Sequence, residues 1–82
     1  MKYTVSILSE AQADIDLAFT WYELKQKGLG DYFFRILDQS VLIISRNPYS
    51  FEEIYKGVRR MVIRKFPYGI YYRVNSEISE IQ

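Results

Sequence analysis

Between residues 56 and 74 the chain reads KGVRRMVIRKFPYGIYYRV, which sets Lys56, Arg59, Arg60, Arg64, Lys65 and Arg73 around a run of tyrosines. Cations beside phenols, with no histidine anywhere in the chain, define a narrow range of chemistry. Cleavage of RNA by its own 2′-hydroxyl needs a base, charge on the phosphorane and an acid for the leaving oxygen. A site without His can use crowded Lys and Arg to shift a Lys or Tyr pKa and to neutralise the phosphate. Strand alternation over 58–65 puts Arg60 and Arg64 on one face and Arg59 and Lys65 on the other. In the following strand Tyr71 and Arg73 share the face opposite Ile70, Tyr72 and Val74. If Ile70, Tyr72 and Val74 face the core, Arg60, Arg64, Tyr71 and Arg73 form an exposed patch able to bind phosphate, with Tyr71 free to stack on a base. The alternative is a solvated strand face whose arginines pair with Glu52, Glu53, Glu77 or Glu80. Lys56 falls in a turn, and Tyr68 and Tyr72 read as packing residues.

The charge distribution favours an anionic partner. Residues 54–82 hold six cations against Glu77 and Glu80, whereas residues 1–53 hold five against eight carboxylates. The whole chain is near neutral, at +1, which hides a basic C-terminal half on an acidic helical one. RNA, DNA or an acidic protein segment fits that face.

Composition removes other chemistries. There is no Cys, so no disulfide or thiolate metal site, and without His no serine can head a nucleophilic triad. Glu10 and Asp14 are an i,i+4 carboxylate pair suited to a hard cation, but equally to the positive end of a helix dipole. Gly28-Leu29-Gly30 lacks the rest of a phosphate-loop motif and reads as a helix link. No cofactor or metal is expected. The N-terminus does not read as a signal peptide, and the longest aliphatic run, Val41 to Ile44, is too short to span a bilayer. A soluble cytoplasmic domain is expected.

These residues must be held by a single small domain, since 82 residues bury only about 60–65% of the unfolded surface. Residues 2–8 alternate as a strand, with Tyr3, Val5 and Ile7 on one side. Ser9 and Gln12 predict a capping box, and Ala11, Ile15, Ala18, Phe19 and Tyr22 the buried face of a first helix. Gly28 stops it, and Glu23–Lys27 supports its end. A second helix starts between Leu29 and Asp31 and runs to about Ser45, burying Phe33, Ile36, Leu37, Ser40, Val41 and Ile44, with Asp31–Arg35 as a further i,i+4 pair. Asn47-Pro48 ends it. Strands follow near 52–56, 58–65, 69–74 and 77–82, with turns at Lys56-Gly57, 66–69 and Asn75-Ser76. The expected fold is α+β in β-α-α-β-β-β-β order, a helical hairpin packed on a mostly antiparallel sheet.

This layout and its local strings resemble the RelE/ParE toxin superfamily of bacterial type II toxin–antitoxin systems. The resemblance runs through nearly the whole chain. It is carried by the opening strand into Ser9, Asp14 and Ile15, by Trp21-Tyr22, by Leu29-Gly30 with Phe33, and by Asn47-Pro48. It continues through Val58-Arg59-Arg60 and Arg64-Lys65-Phe66-Pro67-Tyr68 to Ile70-Tyr71-Tyr72-Arg73-Val74. The Phe-Pro-Tyr turn and the strand after it are closer to the ParE-like, plasmid-stabilisation branch, whose members poison DNA gyrase by binding. The resemblance therefore implies a toxin without chemistry of its own, neutralised by a cognate antitoxin, with Lys56, Arg59, Arg60, Arg64 and Arg73 contacting target or antitoxin. Operator DNA would be reached only through the antitoxin. RelE-like members are instead ribosome-dependent mRNA endoribonucleases. On that alternative Arg60, Arg64, Tyr71 and Arg73 would be catalytic. A third alternative is an inactive relative that only binds antitoxin. Compared with the family, the sequence ends at Gln82 before the usual C-terminal extension, so residues 1–82 are expected to form one toxin domain lacking that extension.

Overall fold

The computed structural model describes residues 3–77 and 80–81. Its elements are β1 (Thr4–Val5), α1 (Ser9–Lys25), α2 (Leu29–Arg46), β2 (Glu53–Tyr55), β3 (Val58–Val62), β4 (Gly69–Tyr72), β5 (Val74–Asn75) and β6 (Glu80–Ile81). The class is α+β. Two three-stranded sheets, ordered β2-β3-β4 and β1-β6-β5, are joined where β4 runs through Arg73 into β5. All strand pairs are antiparallel except β1–β6, which is parallel and matches Thr4 with Glu80 and Val5 with Ile81.

α2 forms as its periodicity requires. Phe33, Ser40 and Ile44 are buried, and Ile36, Leu37 and Val41 are half-buried. Ser40 donates its hydroxyl to the Ile36 carbonyl at 2.8 Å, so a polar residue sits in the stripe without an unmet hydrogen bond. The helix closes at Asn47, before Pro48. α1 is less deeply seated: Tyr22 is buried, Ile15, Ala18 and Phe19 are half-buried, and Ala11 is exposed.

Two aromatic-rich clusters make the core. In one, Phe66 from the turn after β3 wedges between the helices, its ring 4.9 Å from Tyr22 and 5.1 Å from Phe33, both edge-on. In the other, Ile44, Tyr72 and Ile81 gather Tyr3, Val5, Phe51, Met61 and Val74. Ile70 packs against both. Tyr72 extends its hydroxyl to the Pro48 carbonyl at 2.6 Å, pinning the end of α2 to β4, and burial pushes its phenol pKa up.

Several local expectations are corrected. The capping box does not form: α1 begins one residue early with Leu8 at its N-cap, and Gln12 turns its side-chain amide to Asp16 at 3.2 Å. Among the described residues the Glu23–Lys27 and Asp31–Arg35 pairs do not close into ion pairs. Glu23 instead accepts the Gly28 and Gly30 backbone N–H groups, each at 2.9 Å. The strand over 2–8 is only two residues long, and Lys2 lies outside the described residues. The strand over 58–65 stops at Val62: the Ile63 N–H still bonds in register to the Tyr68 carbonyl, and the turn that follows takes Lys65 to a left-handed φ of 72°. The strand over 69–74 breaks at Arg73 into β4 and β5. Of the strand over 77–82, Glu80–Ile81 is a strand, and residues 78, 79 and 82 lie outside the described residues.

Candidate functional site

The outer face of β3 and β4 carries the centre of the basic patch. Arg60 and Tyr71 are direct cross-strand partners, and Ile70 and Tyr72 point the other way into the core. The Arg60 stem and the Tyr71 ring both lie beside Gly69: a Cβ there would touch Arg60 Cγ at 3.4 Å and Tyr71 Cε1 at 3.5 Å, in ordinary contact. Tyr71 is exposed, and Arg60 reaches Glu52 at 3.9 Å in an open ion pair. Such a pair contributes little to stability, so the Arg60 guanidinium stays available to an incoming anion.

Arg59 faces the opposite side of β3 and behaves differently. Its guanidinium donates to the Phe51 carbonyl at 2.7 Å and the Tyr49 carbonyl at 3.4 Å, lies over the Tyr49 ring, and pairs with Glu53 at 3.7 Å. It ties the loop after α2 to the sheet. Arg73 is exposed at the β4–β5 break, yet donates to the Lys56 carbonyl at 2.8 Å and so clamps the β2–β3 turn. Lys56 projects from that turn with its ammonium 5.8 Å from the centre of the Tyr55 ring.

Arg64 does not join Arg60. It stands in the turn beyond β3, exposed and without a hydrogen bond or ion pair among the described residues. The expected four-residue patch of Arg60, Arg64, Tyr71 and Arg73 thus divides into an Arg60–Tyr71 pair, a structural clamp at Arg73 and a separate cation at Arg64. Lys65, next to it, lies 5.5 Å from the centre of the Tyr32 ring.

Two features lay outside the sequence reading. An apolar cleft of about 370 Å³ lies between the first half of α1, α2 and the sheet, bordered by Val5, Ile15, Leu37, Ile63 and Ile70. Among the described residues, Asp14 is the only charged one on its wall. The cleft follows from how shallowly α1 is buried, which periodicity does not measure. The second feature is the exposure of Leu17, Trp21 and Leu24 on the far side of α1. Their i, i+4, i+7 spacing is visible in the sequence and could have been read as a second stripe.

Among the described residues no group of three or more Asp and Glu gathers as a metal site, and Glu10 and Asp14 are both exposed in the first turns of α1. No helix there is long and apolar enough to cross a membrane. Compared with protein-family models, curated proteins and solved structures, the chain matches none.

Proposed function

We propose that this chain is the toxin of a bacterial type II toxin–antitoxin pair, of the ParE-like kind, acting in the cytoplasm by binding a target such as DNA gyrase. The resemblance of its ordered strings to the RelE/ParE superfamily supports the class. The observation that carries binding over catalysis is the state of the guanidinium groups. Arg59 and Arg73 are committed to backbone carbonyls, and Arg64 stands apart, so the cations that a phosphorane would need do not converge. The open apolar cleft gives a cognate antitoxin segment a groove to fill with an amphipathic helix or strand. Operator DNA would then be reached only through the antitoxin.

The Arg60–Tyr71 pair favours the second reading, a ribosome-dependent mRNA endoribonuclease, because it sets a cation and a stackable phenol side by side on an exposed face. One set of assays separates the two. Induced expression in bacteria is expected to arrest growth, and the purified chain to inhibit gyrase supercoiling while leaving mRNA intact in a translation system. Cut mRNA with unimpaired gyrase would transfer the assignment to the nuclease. No growth arrest, with an antitoxin still bound, would identify a relative that retains only that interaction.

A further inference from the structure

The helix α1 has two apolar faces, of which the fold uses one. Ile15, Ala18, Phe19 and Tyr22 turn inward, while Leu17, Trp21 and Leu24 remain 70%, 53% and 83% exposed. Large apolar residues singly exposed are ordinary, but three at i, i+4 and i+7 make a continuous seam of the kind that helices pair through. Trp21 is held in place on this seam by the Lys25 ammonium, 4.3 Å from its ring centre. Around the seam the charge is graded: Glu10 and Asp14 lie at its N-terminal end and Lys25 and Lys27 at its C-terminal end.

We infer that this face binds a second copy of the same chain, α1 against α1 in antiparallel orientation about a two-fold axis near residues 20 and 21. That arrangement places Leu17 on Leu24 of the second copy and brings the two Trp21 rings to the centre. At 100° per residue Asp14 and Lys25 fall on the same edge of the seam, and the two-fold axis sets Asp14 of one copy beside Lys25 of the other. A face that is acidic at one end and basic at the other complements itself only when inverted, which is the condition of an isologous dimer. Both charges of the Asp14–Lys25 pair come from one edge of one helix, so a second copy supplies the complement that the seam requires. The 17-residue α1 limits the contact to on the order of 1,000 Å² over both copies, the lower end for a specific interface and the size of weak, reversible associations, so the dimer is sought at micromolar concentrations. The inference does not depend on the toxin assignment.

Sedimentation of the full chain across that concentration range is expected to show a reversible monomer–dimer equilibrium. Trp21, the single tryptophan, should shift its emission to the blue as the dimer fills. Leu24→Glu, at the most exposed seam position, should raise the dissociation constant at least tenfold and abolish the emission shift. Asp14→Lys should weaken the dimer, and adding Lys25→Asp to it should restore affinity. A chain monomeric at every concentration would overturn the inference, as would a dimer that Leu24→Glu leaves intact. Protection of Trp21 only on adding a second, different protein would reassign the seam to that protein.

Discussion

Glu23 accepts the backbone N–H groups of Gly28, which precedes α2, and of Gly30, in the first turn of that helix, and this sets its acidity. The hydrogen bond from Gly28 is the main reason its pKa lies below the ordinary carboxylate value, with Gly30, Asp31 and the Lys27 charge adding and desolvation opposing. A depressed folded-state pKa contributes stability that is complete above the unfolded carboxylate pKa and is lost as pH falls through the folded value. Glu23→Gln should therefore melt below the parent at neutral pH, and the two melting curves should converge under acid. The neighbours Arg59 and Arg60 offer a second test. Arg59→Ala removes donors from two loop carbonyls and should cost about 1–3 kcal/mol. Arg60→Ala breaks an open ion pair and removes a half-exposed stem, and should change stability by less than about 1 kcal/mol while, on the proposed toxin reading, reducing growth arrest. Denaturant melts of both variants beside a growth assay decide this, and equal loss of fold and toxicity at Arg60 would remove it from the working surface. Alternation assigned these two arginines to opposite faces correctly. It said nothing of which side would meet carbonyls, because that depends on the loop at 47–52.

At the scale of elements, the two helices approach closely at one point. A Cβ on Gly30 would stand 2.8 Å from the Phe19 carbonyl oxygen and 2.9 Å from Glu23 Oε1, so Gly30→Ala must push α2 off α1 as well as disturb the Glu23 carboxylate. A destabilisation of about 1–3 kcal/mol is expected by thermal or denaturant melt. Unchanged stability would mean that the hairpin is looser than this contact requires. α2 was legible because a strong apolar stripe, a left-handed Gly28 and Asn47-Pro48 all mark the same boundaries. The strands were less so. Val58 to Ile63 and Gly69 to Val74 keep alternating past the points where the ladder stops, since hydrophobic alternation reports a face and not a hydrogen bond. Lys65 and Arg73 end the pairing through backbone conformation and a distant carbonyl, neither of which is written in the local pattern.

Over the whole molecule, the β2-β3-β4 sheet and its turns carry Lys56, Arg60 and Arg64 at the surface, and α1 carries Glu10, Asp14 and Asp16. An anionic target met through that sheet should bind more weakly as salt rises, with the loss falling mainly on the association rate. Arg64→Ala should lower affinity without moving the melting temperature, because Arg64 makes no hydrogen bond or ion pair within the described fold. Salt-insensitive binding by surface plasmon resonance would show that the charge asymmetry has no part in recognition.

The parallel ladder between β1 and β6 joins residues near the two extremes of the numbering. Among the strand pairings of the described residues it closes the longest loop, so it forms late relative to the helical hairpin and the β2-β3-β4 meander. During synthesis β1 emerges before β6 and must wait, unpaired, until Glu80 and Ile81 have left the ribosome. Val5 and Ile81 both line the apolar cleft, so until that moment the cleft lacks two of its walls. The nascent chain is thus least able to present a finished groove, and most exposed to aggregation or rescue by a chaperone, until that strand has emerged.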